Sequence, residues 1–379
     1  MDIEGGHMVI GRTRQDTTGL IHYEPYQCDR GYTLFCGGKP RYAYLIDMNG
    51  KFCHRWSHPE GITHAKLLDN GNLLCRGEVV PMEDGKLGMA AQARIAFELD
   101  WESNVVWEFR DDNLHHDHER LPNGNTLLIA WRQMTEEQSA LVKGGYPSDD
   151  DDPKMLGDIV LEVTPQGDVA REWHSWEHLD PDVEIICPLE YRREWTHCNS
   201  ITTSPDGDWI VSMRRTDTIA FVDPISGAIK KRIGPGLVSH QHDAHILPNG
   251  HMMIFDNGVH SPKRPMYSRV IEIDIETQDI VWEYQADPVF SFFSVMAGSA
   301  QRLPNGNTLI CHSSLGRFFE VTSRKEIVWE YINPFYTVNV RTGGKANISF
   351  RARRFGPDHP VLADKDLDPN RYANLNRLY

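Results

Sequence analysis

The chain predicts an all-β fold, a six-bladed β-propeller with four-stranded antiparallel blades. Three observations predict it. A β-rich run that turns and returns, often ending in Trp, recurs six times; a second hairpin built on an Asn-Gly or Asp-Gly turn recurs between the copies; and the two alternate at a near-constant interval.

The first kind of hairpin occupies residues 43–56, 94–109, 158–173, 218–233, 269–284 and 317–331, each alternating apolar and polar positions around a polar turn. The second kind reads LLDNGNLLC at 67–75, RLPNGNTLL at 120–128, TSPDGDWIV at 203–211, ILPNGHMMI at 246–254 and RLPNGNTLI at 302–310. Two hairpins per repeat make one four-stranded sheet. The first blade starts near 31–37, and the tryptophans that end hairpins (Trp56, Trp107, Trp173, Trp282, Trp329) are expected to pack between blades.

Three stretches break the period. Residues 113–118 are polar and lead into the third blade. Residues 134–155, with the acidic run 149–152, read as a long solvated loop. Residues 174–194 form another insertion before Trp195-Thr196-His197. In the tail, ISFRARRF at 348–355 is suited to close the ring by adding a strand to the first blade. The polar end, DPNRYANLNRLY, is suited to wrap the body or a neighbouring subunit of a homo-oligomer. The expected organisation is an N-terminal extension (1–30), one propeller (31–355) and a C-terminal tail (356–379).

A chain of 379 residues fits a single closed all-β unit, and 40% hydrophobic with 10% aromatic residues fits a folded rather than a disordered one. A net charge of −15 excludes nucleic acid and an anionic membrane surface as main partners. An anionic small molecule would then need a locally positive pocket. The seven cysteines are scattered without a C-x-x-C pair, which suits free thiols in a reducing compartment. The first sixteen residues carry no apolar signal-peptide core and no long apolar run follows, so the expected location is cytoplasmic.

Aligning the repeats on their turns brings polar residues into register. His116 precedes Pro122 by six positions, His242 precedes Pro248 by six, Asn199 precedes Pro205 by six, and His64 precedes Asp69 by five. The first strand of a propeller blade lines the central channel, so residues at one offset converge there. The dipeptides His116-Asp117 and His242-Asp243 share that offset. Ordinary structural readings compete: an Asp beside a turn can cap backbone N–H groups, and Arg215 can be an exposed cation with Arg214 on the opposite face. His54, His58, His174, His251 and His260 read as structural; His64, His118 and His312 are open to either reading.

These elements occur in order: H-H-D at 115–117, T-H-C-N-S at 196–200, V-S-M-R-R at 211–215, Q-H-D-A followed by P-N-G and F-D-N-G over 241–258, G-S-A-Q-R-L-P-N-G-N-T-L-I at 298–310, and the late F-R-A-R-R-F. Together they resemble the PAPS-independent arylsulfotransferases, the arylsulfate sulfotransferase-like family, from about residue 31 to 364. The resemblance implies a six-bladed propeller and a ping-pong transfer of a sulfuryl group between a phenolic donor and acceptor through a sulfohistidine, with no cofactor. It implies His242 as nucleophile, with His116, His197, Asn199 and Arg215 around the sulfate; His64, His118 and Asp243 are further candidates for substrate binding. The chemistry is coherent. A neutral imidazole is a nucleophile at pH 7, a second histidine can shuttle the phenol proton, and an Arg fork matches sulfate oxygens. As in phosphoryl transfer, positioning and cationic donors do most of the work. The expected partner is a small aromatic or sulfated molecule.

Two other classes fit the same residues. His64, His116, His197 and His242, with or without Asp243, could bind Zn²⁺ or Mn²⁺ in a metal-dependent lyase or hydrolase. A non-catalytic propeller serving as a binding scaffold is the other.

Overall fold

A computed structural model describes residues 17–38, 41–77, 91–147, 153–338 and 343–379. The residues 1–16 and the acidic run 149–152 lie outside the described residues. The described chain is all-β, with a propeller-like arrangement of blades.

β1 (Gly19–Tyr23) precedes a sheet of β2 (Tyr32–Gly37), β3 (Tyr42–Ile46) and β4 (Phe52–Trp56). A continuous seven-stranded sheet follows: β5 (His64–Leu67), β6 (Leu73–Arg76), β7 (Gln92–Leu99), β8 (Val105–Arg120), β9 (Thr126–Gln133), β11 (Leu156–Val163) and β12 (Val169–His174), paired in chain order. The short β10 (Gly144–Tyr146) and β13 (Ile186–Tyr191) pair in parallel beside it. Two four-stranded meanders come next. One is β14 (Cys198–Thr203), β15 (Trp209–Met213), β16 (Thr218–Val222) and β17 (Ile229–Ile233). The other is β18 (His242–Ile246), β19 (Met252–Asp256), β20 (Arg269–Ile273) and β21 (Ile280–Tyr284). The last contains β22 (Ser299–Arg302), β23 (Thr308–His312), β24 (Arg317–Val321) and β25 (Ile327–Ile332). A small hairpin, β26 (Thr337–Val338) and β27 (Lys345–Ala346), leads to β28 (Ala352–Phe355).

Both chain ends lock into this arrangement. β28 pairs antiparallel with β2 and becomes the first strand of the first sheet, as 348–355 predicted. β1, from the segment expected to be a separate extension, adds a fifth strand to β25 of the last sheet. The tail folds back on the body: Asn376 Oδ1 accepts from the Phe52 N–H at 2.8 Å, and Tyr372 and Leu375 pack on the cluster around Phe35 and Trp329. Neighbouring first strands pack side by side, β14 against β8 and β18, and β22 against β18 and β28.

Four sheets stand out as distinct blades, against an expectation of six. The difference lies in β8. Residues 113–118 were expected to interrupt the pattern; instead they belong to one strand of 16 residues. Its first part pairs with β7 and its last part with β9, so one piece of backbone ends one meander and begins the next. Backbone pairing on both sides outweighs the polar side chains of DDNLHHDH. The stretch 134–155 also departs from a solvated loop. Thr135 and Gln138 form a capping box on α1 (Glu136–Leu141), and Met134 and Met155 are buried. Within 174–194 the structure places a one-turn helix, α2 (Ser175–His178), and β13.

Middle strands such as β16 (TIAFV) and β19 (MMIFD) are buried at every position because sheets cover both faces, whereas β12 and β17 are largely solvated. Tryptophans fill the spaces between sheets: Trp56 packs with Leu73 and Phe97, and Trp173 with Trp209 and Val211. Truncating such a ring to Ala costs about 3–5 kcal/mol. At the Pro-Asn-Gly and Pro-Asp-Gly turns, Gly207, Gly250 and Gly306 have φ of +91°, +86° and +88° with nothing near a notional Cβ. Glycine is needed there for its left-handed backbone, not for space.

Candidate functional site

The first strands begin with polar residues that no ordinary packing strand would carry, and the backbone is strained where they meet. His116, His197, His240, Asp243 and Ala297 all lie in the left-handed region, with φ between 49° and 58°. Such a conformation costs a non-glycine residue about 1–3 kcal/mol and gathers at functional sites. The pairing slips by a bulge between His115 and His118, between Cys198 and Ser200, and between His242 and His245. Each bulge turns a side chain away from the strict alternation of its strand.

Two aspartates tie the first strands together. Asp117 Oδ2 accepts from the Ile201 N–H of β14 at 3.0 Å, and Asp243 Oδ2 from the Ala300 N–H of β22 at 3.0 Å. Arg351 lies between them, Nη2 2.9 Å from Asp117 Oδ2 and Nε 3.2 Å from Asp243 Oδ1. These are ion pairs whose N–H groups are not aligned for hydrogen bonds. His64 Nε2 and Lys66 Nζ also reach Asp117 Oδ1, at 3.0 and 3.1 Å, and Arg353 grips Asp243 at 2.6 and 2.8 Å. Burial alone would raise both carboxyl pKa values; Arg351 with Lys66 holds Asp117 well below its ordinary range, and Arg353 with Arg351 lowers Asp243.

His242 is buried and fixed at both nitrogens. Its Nδ1 lies 2.7 Å from Asn257 Oδ1 and 3.2 Å from the His240 carbonyl, both acceptors, so Nδ1 carries the proton. Asn257 cannot turn over, because its Nδ2 donates to the carbonyls of Ser294 and Ala297, each at 2.8 Å. Nε2 keeps its lone pair and accepts from the Ala297 N–H at 3.2 Å. Burial, helped by Arg214, pushes the imidazole down to about 3, so it is neutral at physiological pH.

Two further imidazoles stand together, His116 and His197, with ring centroids 4.6 Å apart. His116 Nδ1 meets His115 Nδ1 at 2.8 Å; His115 stacks on Trp131 at 3.7 Å and approaches Asp158 Oδ1 at 3.0 Å. Burial and His197 push His116 well below its ordinary value. His197 Nδ1 bonds Glu194 Oε1 at 2.7 Å. Burial works against the Glu194 charge, but His197 and Arg215 hold its carboxyl at about 2.

The predicted residues are thus only partly one group. His116 and His197 are adjacent, and His242 lies near enough that a proton on it would disfavour one on His116. Asn199 is buried beside them, donating to the Gln241 carbonyl at 2.7 Å while its Oδ1 has no partner. Arg215 directs Nη1 to the carbonyls of Tyr191 and Glu194 and Nη2 to Glu194 Oε1 at 3.0 Å. Arg214 does not take the opposite face: it meets Glu190 at 2.7 Å, and Arg215 lies 3.8 Å from the same carboxylate. His64 and His118 sit with Asp117 rather than with His242; His118 Nε2 bonds the Leu74 carbonyl at 3.1 Å. Among the described residues, the clustered potential metal donors are His64–Asp117–His118 and Cys187–His240–His260, not the four histidines considered above. Asp117 in the first set is already taken by Arg351, Lys66 and two backbone N–H groups.

The residues missed from sequence are the partners: Asn257, Glu194, Asp158 and Arg351. Asn257 and Arg351 lie within runs quoted for the family resemblance, F-D-N-G and F-R-A-R-R-F, but nothing in their spacing gave their targets.

These features define a propeller-like protein with strained first strands that gather imidazoles, the buried His116 and His242 among them neutral, and buried arginines. The arylsulfotransferase (ASST) family model matches residues 64–334, well over half of the chain, and the chain belongs to that family. Membership supports an arylsulfotransferase-like function and the transferase class. Comparison with curated proteins gives no match. Among solved structures, the chain is similar to a protein of unknown function from Bacteroides caccae, at 12% identity and TM-score 0.54, covering 86% of this chain and 99% of that one. That likeness is one of fold. It also matches a streptogramin B lyase at 10% identity and TM-score 0.47, covering 90% of this chain and 94% of that one. A virginiamycin B lyase from Staphylococcus aureus matches at 11% identity and TM-score 0.46, covering 85% and 86%. Among the described residues, no helix is long and apolar enough to cross a membrane.

Proposed function

We propose that this protein moves a sulfuryl group from an aryl sulfate to a phenolic acceptor through a sulfohistidine on His242. One observation carries the reading: a buried neutral imidazole whose Nδ1 proton is held by Asn257 and whose Nε2 lone pair is presented to a backbone N–H. In the first step Nε2 forms a bond to sulfur while the bond from sulfur to the phenolic oxygen breaks, and the electron pair leaves on that oxygen. A proton from His197, supported by Glu194, meets the leaving oxygen. In the second step His197 removes the acceptor's proton, the acceptor oxygen bonds sulfur, and His242 is released. Attack requires His242 Nε2 to leave the Ala297 N–H, and that N–H together with Arg351 would then meet the charge spread over the sulfuryl oxygens. His116 and the unpartnered Asn199 Oδ1 complete the pocket, and Arg215 positions Glu194. His64, His118 and Asp243 support the walls. The partner in this reading is a small sulfated aromatic molecule, its charge met by Arg351, the Ala297 N–H and the imidazoles.

In this reading the seven-stranded sheet counts as two blades sharing β8, giving six around a central channel. An experimental map with another number of blades would refute that count.

The test uses p-nitrophenyl sulfate as donor and phenol as acceptor. Wild-type protein should release nitrophenolate and, with donor alone, gain the mass of one sulfuryl group; His242→Ala should abolish both. A wild type that does neither sinks the reading, and so does a mass gain that persists in His242→Ala.

A further inference from the structure

Beside the strand that carries His242 lies a second cluster with no part in that chemistry. Cys187 comes from β13, His240 from the lead-in to β18, and His260 from the loop after β19. One donor atom from each lies within 4.8 Å of the others. Cys187 Sγ stands 3.6 Å from His260 Nδ1. Glu190 Oε1 adds a fourth donor, 3.0 Å from His240 Nε2 and 3.9 Å from His260 Nδ1. In a tetrahedral zinc site, bonds of about 2.0–2.1 Å to nitrogen and about 2.3 Å to sulfur put neighbouring ligand atoms roughly 3.3–3.6 Å apart. The Cys187–His260 separation of 3.6 Å already matches, and the 3.0 and 3.9 Å separations to Glu190 lie within a few tenths of an ångström of it, a difference that side-chain rotation covers.

We propose that Cys187, His240 and His260, with Glu190 at the fourth corner, form a binding site for zinc or another thiophilic divalent cation. The surroundings have the features such a site needs. Asp217 Oδ1 accepts the His240 backbone N–H at 2.7 Å and lies 3.2 Å from His240 Nδ1, the nitrogen turned away from the cluster, where a carboxylate supports a metal-bound histidine. Charges balance: the Cys187 thiolate, Glu190 and Asp217 offset a dication together with Arg214, which contacts Glu190 at 2.7 Å. Arg215 is matched by Glu194. The side chain of His260 is 25% exposed and Cys187 is half-buried, so a cation has a way in. Binding releases the thiol proton and any proton on the two imidazoles.

The site would join three separate segments beside the strand that carries His242. The His240 carbonyl also receives the His242 Nδ1 proton at 3.2 Å, so a metal on the His240 ring would stiffen the support of that imidazole. The proposal does not depend on the transferase reading, and either can fail alone.

The test is metal binding to the full chain, freed of metal by chelation and titrated with Zn²⁺ alone or Co²⁺ alone. The expected result is one equivalent bound per chain and, with Co²⁺, a thiolate-to-metal charge-transfer band with tetrahedral d–d absorption. Cys187→Ser should remove the band and weaken binding at least tenfold; His260→Ala should weaken it similarly; Cys53→Ser, a thiol elsewhere, should change neither. Failure of the wild type to bind a stoichiometric metal would overturn the proposal, as would a Co²⁺ spectrum without a thiolate band. Both are read on unmutated protein, so they stand even if a variant folds poorly.

Discussion

β8 and β18 carry the same dipeptide six residues before a Pro-Asn-Gly turn, His116-Asp117 in one and His242-Asp243 in the other. The two aspartates behave alike: each accepts a backbone N–H from a neighbouring first strand, and each touches Arg351. The two histidines do not. In β8 the left-handed residue is His116 itself, and its Nδ1 meets another imidazole. In β18 the left-handed residue is one place later, at Asp243, and His242 Nδ1 meets an amide that cannot turn. The bulge is displaced by one residue, so identical side chains leave the strands toward different partners. Under the transferase reading, one copy of the repeated pair supplies the nucleophile and the other a wall of its pocket.

Removing the shared aspartates should give the largest effect. Asp117→Ala leaves Arg351, 6% exposed, with Asp243 alone, takes the carboxylate from His64 and Lys66, and is expected to cost about 3–5 kcal/mol of stability, the range for breaking a buried ion pair. Asp243→Ala should cost less, because the Arg353 side chain is 26% exposed and can turn to water. Urea unfolding of both variants checks this; equal losses would break the distinction. Next comes the contrast between the imidazole supports. Under the transferase reading, Asn257→Ala should lower kcat about 100-fold with little change in KM, since a loosened nucleophile loses orientation. His115→Phe keeps the stack on Trp131 and should lower kcat only roughly tenfold, because it removes a partner of His116 and leaves His242 and its support in place. Steady-state kinetics with p-nitrophenyl sulfate would reverse the assignment if His115→Phe proved the more damaging.

Much of the fold was legible because it is written locally. All six hairpins of the first kind and the Gly-turn hairpins form antiparallel pairs, and the tail strand β28 joins β2. β8 was not legible: its polar residues look like a break, and only partners on both edges make them a strand. The capping box at Thr135 was a readable helix signal inside what looked like a loop. In the site, the offset to the turn placed His242 at the start of β18 and His116 in the part of β8 that pairs with β9. It could not give their partners, because Asn257, Glu194 and Arg351 arrive from other strands and loops, and no periodicity links them to the histidines they serve.

The smallest predicted effect exploits the next residue along. After the shared dipeptide β8 has His118 where β18 has Ala244, and burial pushes His118 down to about 3. His54 and His312 are likewise pushed by burial to about 4. Each is neutral in the folded protein, while the unfolded chain takes up a proton near pH 6.5. The unfolded state therefore binds more protons in acid, so stability is complete above about pH 6.5 and falls as the pH drops below it. At pH 6 the loss is about 1 kcal/mol per buried imidazole and grows further toward the folded values. His118→Ala gives β8 the residue that β18 already has. It should lower stability at pH 7.5, through a lost hydrogen bond to Leu74 and a cavity, yet make the acid slope shallower by up to one proton. Urea unfolding at pH 7.5, 6.5 and 5.5 measures that slope directly. An unchanged slope would mean that His118 takes up its proton equally in both states, and the acid sensitivity assigned to the β8 side would have to come from elsewhere.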